Sequence, residues 1–233
     1  MNNDLERYGA PVSGGPGISR LAGVMSRRLY NAVLAGLIVL SFVVMGVCAA
    51  WASTPSFTRL LASAGLPLMI ACLVGSIGGL ILMSVGRSRA SLALGVSGFA
   101  LFTLTFGFTT SIALSAYSME SVANALLATA GIMAVFGALG MAFPSFFARI
   151  QGVLAVSLLA VIVVEVVMMA LGVRQNLTDL VVILLFCGFI GYDVYRASTD
   201  APTLENALWY AIEIYLDVVN VMLRLLSIFG NRD

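Results

Sequence analysis

The chain contains no lysine and no histidine; all twelve of its basic residues are arginine. Three chemistries fall away with those two residue types. A retinal Schiff base needs a lysine, haem-bearing helix bundles usually hang the iron on histidine, and zinc-dependent membrane proteases need a histidine pair. Histidine is also the usual switch near neutral pH, so any pH sensing here falls to carboxylates. Charge of either sign is scarce: 10% of the 233 residues are charged and 61% hydrophobic, against about 45–50% apolar in a soluble domain. The mean hydropathy is +1.05. That composition excludes a large soluble domain and leaves an all-α integral membrane protein whose first partner is the lipid bilayer; no nucleic-acid partner is expected. Cys48, Cys72 and Cys187 each sit inside an apolar run, without paired metal spacing, and read as small buried hydrophobes.

A transmembrane helix needs about 20 mostly apolar residues. Such runs fall at 29–51, 64–85, 91–115, 121–143, 151–172, 177–197 and 205–229. Seven helices follow, joined by short polar or Gly/Pro-marked breaks that make consecutive helices antiparallel neighbours. Residues 1–28, with charges around a Gly/Pro stretch, read as a flexible cytoplasmic tail, and 230–233 as a short C-terminal tail. Loops on the cytoplasmic side carry the excess of arginine. A cytoplasmic N-terminus puts eight arginines inside (7, 20, 27, 28, 87, 89, 149 and 196) and three outside (59, 174 and 232). The last helix is the least apolar of the seven, so its full crossing is the open point. Gly75 with Gly79, Ala134 with Ala138, and Gly188 with Gly191 have the small-residue spacing that lets helices approach closely in lipid.

Acids inside a membrane are costly, and an aspartate at a helix centre stands about 2.5–3.5 kcal/mol uphill on insertion scales. Glu165, Asp193, Glu213 and Asp217 lie within the apolar runs, whereas Asp179 and Glu205 sit at span ends. In the last helix Asn206, Tyr210, Glu213, Asp217, Asn220 and Arg224 follow at spacings of 4, 3, 4, 3 and 4. At about 100° per residue they form one stripe within roughly an 80° arc, which must face protein or water. Antiparallel pairing of the last two helices lets Asp193 and Asp217 approach each other. Two carboxyls in that position cannot both ionise easily and form a proton-responsive unit; when ionised, they offer hard oxygens suited to transient calcium. Arg87 and Arg89, at the end of the second helix, are cations on the same side as Asp193, and either could latch it.

The segment Ile214-Tyr215-Leu216-Asp217-Val218-Val219-Asn220, then Leu223-Arg224-Leu225-Leu226 and the ending Ile228-Phe229-Gly230-Asn231-Arg232, resembles the last helix of the Bax inhibitor family and its bacterial inner-membrane relatives. Tyr192-Asp193 is similar to the family's tyrosine-aspartate at the end of the sixth helix. The resemblance implies a seven-helix transmembrane bundle whose final helix is enclosed by the others. It implies a pH-sensitive calcium leak in which Asp193 and Asp217 act as sensor and gate, with Arg87 or Arg89 as latch. No cofactor is expected beyond calcium as the transported or transiently bound ion. The sequence departs from relatives at Val194-Tyr195, in the third helix, and in the extra acid Glu213.

A second reading, implied by some bacterial relatives, is a regulatory protein that binds a membrane protease or other envelope complex, with the N-terminal tail as its docking element. A coupled transporter is disfavoured by the lack of a visible inverted repeat or a Gly/Pro-broken helix pair. An enzyme is not expected: serine is plentiful, but without histidine or lysine no conventional base activates it, and Asp193 follows Gly191-Tyr192 rather than a GxGD-like pattern.

Overall fold

A computed structural model of the protein describes residues 23–172 and 176–231, except for the side chains of 176 and 177. Seven α-helices run in order: α1 (Arg27–Ala52), α2 (Pro55–Ser88), α3 (Leu92–Leu114), α4 (Met119–Ala142), α5 (Pro144–Ala170), α6 (Asn176–Thr199) and α7 (Leu204–Phe229). Among the described residues, strand pairing is limited to an isolated antiparallel bridge between Val24 and Thr203. Residues 1–22 of the expected tail and residues 232–233 lie outside the described residues. Val24 and Met25 do not run free: the Met25 amide donates to the Pro202 carbonyl at 2.8 Å, beside that bridge.

Six helices, α1 to α6, are long and apolar enough to cross a membrane. The seventh is not among them. At 26 residues it is roughly 39 Å long, so composition and not length sets it apart: Glu205, Glu213, Asp217 and Arg224 all fall within it.

Local chemistry explains the helix boundaries. Ser26, Ser118 and Thr203 cap α1, α4 and α7 with side-chain oxygens that accept from the amides of Leu29, Ser121 and Asn206. Helices α2 and α5 start earlier than the apolar runs do, at Pro55 and Pro144 rather than at 64 and 151. Proline at the first helical position loses no bond, because that N–H has no intrahelical partner, and its φ is already helical. Proline inside a helix acts oppositely. Pro67 lacks the N–H that would reach the Ser63 carbonyl and its ring crowds that carbonyl, and α2 kinks at Ala64 (φ −137°, ψ 20°).

In lipid, association depends on close packing and hydrogen bonds rather than on expelling water, and the tight contacts lie at glycines. A Cβ on Gly79 would stand 2.7 Å from the Phe102 amide, and one on Gly98 2.6 Å from the Gly79 carbonyl, so α2 and α3 touch backbone to backbone. Gly140 of α4 leaves no room for a Cβ against the Gly191 carbonyl of α6, and the Phe147 ring of α5 covers Gly191. The pair Ala134 and Ala138 plays no such part. Both are exposed, and the buried residues of α4 are Ala125, Thr129, Gly137 and Gly140.

Helix α7 packs against α1, α2, α3, α4 and α6, while α5 lies outside, against α6 and α4. Tyr215, Val219 and Met222 are fully buried, and the Tyr215 ring receives the edges of Phe42 and Phe106 at centroid distances of 5.1 and 5.8 Å. Large apolar side chains such as Leu66, Leu127 and Val156 point outward, as a lipid-facing surface requires.

Candidate functional site

The α7 stripe meets three different environments along its length. At its N-terminal end, Arg87 from the last turn of α2 donates from Nε to Asn206 Oδ1 at 2.9 Å, and from Nη2 to the Tyr210 hydroxyl and Asp200 Oδ2 at 3.2 Å each. The Tyr210 hydroxyl donates to the same Asp200 oxygen, and Arg196 Nη2 lies 3.5 Å from it. Both guanidinium groups stand over the Tyr210 ring, at 5.3 and 5.5 Å from its centroid. Arg27 donates to the Ala197 and Asp200 carbonyls at 3.2 and 2.9 Å. Asp200, in the α6–α7 connection, is thus the hub of this end. Arg87 pairs with Asp200 and not with Asp193. Arg89 ends α2 through its backbone amide, which donates to the Val85 carbonyl, and forms no ion pair among the described residues.

Midway along the stripe, the carboxyl groups of Asp193 and Asp217 come within interaction reach of each other across the α6–α7 interface. Each residue is only 6% exposed. Glu213, one turn before Asp217, is close enough to act electrostatically on both aspartates. No ion pair reaches any of the three among the described residues. Glu213 Oε2 and Asp217 Oδ2 are buried without a hydrogen-bond partner in the protein. Among the described cations, Arg196 acts on Asp193 and Glu213 through space rather than by contact, and Arg87 on Glu213. Among the described residues no group of three or more His, Cys, Asp or Glu side chains is arranged to hold a metal ion.

Toward the C-terminal end, Asn220 turns back onto its own helix, donating from Nδ2 to the Leu216 carbonyl at 2.8 Å. Arg224 then closes the stripe. Its Nη1 lies 2.7 Å from both Glu165 Oε1 of α5 and Asp179 Oδ1 of α6, its Nη2 donates to Glu165 Oε2 at 2.8 Å, and the Ser227 hydroxyl donates to Asp179 Oδ2 at 2.8 Å. Asp179 is a correction to the sequence reading, which put it in water at a span end: it is 2% exposed and bound to α7. Glu165 is not a lone intramembrane acid but half of this clamp.

Asp200 and Asp179 are the two site residues that the sequence reading passed over. Asp200 had a local signal, since it follows Arg196 at the i,i+4 spacing of a helical ion pair. Asp179 had none, because its partners lie 45 and 48 residues away.

Comparison with known proteins adds descent to this geometry. A family model described as Bax1-I, inhibitor of apoptosis-promoting Bax1, matches residues 22–233. Inner membrane protein YbhL of Escherichia coli K12 is 23% identical over 217 residues, covering 88% of this chain and 90% of its own. A membrane protein of Streptococcus pyogenes serotype M6 is 24% identical over 162 residues, 66% of this chain and 71% of its own. Bax inhibitor 1 of Schizosaccharomyces pombe is 27% identical over 134 residues, 56% of this chain and 50% of its own. With all the described residues inside the family match, the chain belongs to the Bax inhibitor family of membrane proteins.

Proposed function

We propose that the protein is a pH-sensitive leak for calcium or a similar cation, gated by Asp193 and Asp217, with α7 as a seventh, polar-striped crossing helix enclosed by the helices packed around it. The N-terminus lies in the cytoplasm, which is the inner side if the cell is bacterial. One observation carries the proposal: a buried pair of aspartates facing each other, with Glu213 beside it, that forms no ion pair among the described residues. A purely structural acid in a membrane is expected to be paired, and Glu165 and Asp179, which meet the same stripe at Arg224, are.

Proton and cation compete for the same oxygens. With a proton between Asp193 and Asp217, the two carboxyls hold α6 to α7 across the path. When that proton leaves, two like charges in a low-dielectric site repel and present hard oxygens to a passing divalent ion. The Arg87–Asp200–Tyr210 contact ties the end of α2 to the start of α7, so the latch acts on Asp200 and reaches the acid pair through α7 itself. No covalent step and no resident cofactor takes part. The docking alternative rests on the N-terminal tail, of which residues 1–22 lie outside the described residues, and no observation favours it.

Calcium entry into dye-loaded liposomes holding the purified protein, followed across pH for the native chain, Asp193→Asn and Asp217→Asn, tests the proposal. Protein-dependent flux with a pH profile altered in both variants supports it. No flux above empty liposomes from folded protein, or an unaltered profile in Asp217→Asn, refutes it.

A further inference from the structure

A cavity of about 440 Å³ opens on the side of the bundle between α1 and α4, two helices that are not packed against each other. Of its fifteen lining residues only Asn31 and Ser198 are polar. Its α1 wall runs from Asn31 through Ile38 to Phe42, eleven residue steps or roughly 16 Å of helix. That length matches half of the roughly 30 Å hydrocarbon core of a bilayer, the depth of one leaflet. Both polar lining residues mark the same end, the one at which Met141 closes α4 and Ala197 and Ser198 close α6.

The charge above that end is positive. Arg27 and Arg28 open α1, four and three residues before Asn31, and therefore lie within about 60° of it around the helix, one on either side. Side chains on a helix lean toward its N-terminus, which carries both guanidiniums up and away from the groove toward the headgroup level. Arg27 is engaged with the Ala197 and Asp200 carbonyls, whereas Arg28 is exposed and forms no ion pair among the described residues.

We propose that this groove is a binding site for an anionic phospholipid, with one acyl chain lying between α1 and α4 and the phosphate held by Arg28. An apolar slot one leaflet deep, open to the bilayer and topped by an unpaired arginine, fits an acyl chain with a negative head. Its inner wall is Val194, Ile214 and Val218, the neighbours of Asp193 and Asp217 in sequence and helical turn. Occupancy therefore bears on the spacing of α6 and α7 at the acid pair. The site itself stands whether or not that pair conducts ions.

The test uses the full chain in nanodiscs doped with phosphatidylglycerol or phosphatidylcholine, each bearing a photoactivatable group in one acyl chain, with crosslinked residues mapped by mass spectrometry. Ala130→Phe fills the groove from an exposed lining position without touching the arginines. Arg28→Gln removes the charge without touching the groove. The expected result is labelling of groove residues by phosphatidylglycerol in preference to phosphatidylcholine, with the preference cut about fivefold in Arg28→Gln, since one basic residue near an anionic surface carries about that much. In Ala130→Phe labelling of the groove by either lipid falls, while labelling of outward residues such as Leu127 and Val156 persists. Equal labelling by both lipids, or a preference unchanged in Arg28→Gln, identifies ordinary bulk lipid and overturns the proposal. Groove labelling unchanged in Ala130→Phe, or crosslinks there to a second protein chain, overturns it as well. Unaltered unfolding midpoints for both variants exclude loss of fold as the cause.

Discussion

Two groups of acids meet the α7 stripe, one around Asp217 and one around Arg224, seven residues or roughly 10 Å apart along the helix, and the protein treats them in opposite ways. Around Arg224, two carboxyls from two other helices meet one guanidinium at 2.7 Å each, and a serine hydroxyl completes the set. Around Asp217, three carboxyls gather with no ion pair among the described residues, which also leave two of the carboxyl oxygens buried without a hydrogen-bond partner. The first arrangement is how a membrane protein neutralises acids that it uses as struts. The second retains a cost that a strut has no reason to carry. Burial is common to both, and what separates them is whether a fixed counter-charge has been supplied.

The largest expected effect comes from removing the counter-charge where it exists. Arg224→Gln leaves Glu165 and Asp179 facing each other, and breaking a buried pair by deleting one partner costs about 3 kcal/mol. Denaturant unfolding in detergent should show that loss. Gly191→Val comes next. It drives a branched side chain into the Phe147 ring and presses α6 away from α4 and α5, overpacking worth about 2 kcal/mol, and it moves the segment that carries Asp193. Its pH profile of flux should shift although no titratable group is changed. Asp217→Asn should have the opposite sign of effect on stability. It removes like-charge repulsion from a buried pair, so in alkaline buffer the unfolding midpoint should rise, by an amount on the order of 1 kcal/mol. The smallest effect is Arg87→Gln, about 0.5 kcal/mol, because its partly exposed pair with Asp200 has a side-chain exposure of 28% and 34%. Its signature is a changed flux profile with near-native unfolding.

The same contrast separates what the sequence made legible from what it did not. The 4-3-4-3-4 polar spacing placed Tyr210, Glu213, Asp217, Asn220 and Arg224 on one face because helical period is a local property, and the short connection after α6 brought Asp193 to Asp217 because antiparallel neighbours meet. The starts of α2 and α5 were missed for a local reason too: Pro55 and Pro144 were read as breaks where they act as first residues. Partner choice was not local. Arg87 stood between two acids, Asp193 and Asp200, seven residues apart on the same helix and its exit, and only the path of the α6–α7 connection decides for Asp200. Asp179 looked solvated because it lies in the first turn of its helix, and nothing in one dimension shows that Arg224 reaches it.

The most direct test of this division of labour is calcium flux across pH in matched liposomes of Asp217→Asn and Arg224→Gln, each first shown to be folded. If the unpaired acids gate and the paired acids brace, Asp217→Asn flattens the pH profile in a stable protein, whereas Arg224→Gln lowers stability and leaves the midpoint of the profile in place. A midpoint that moves in Arg224→Gln and stays fixed in Asp217→Asn would contradict it.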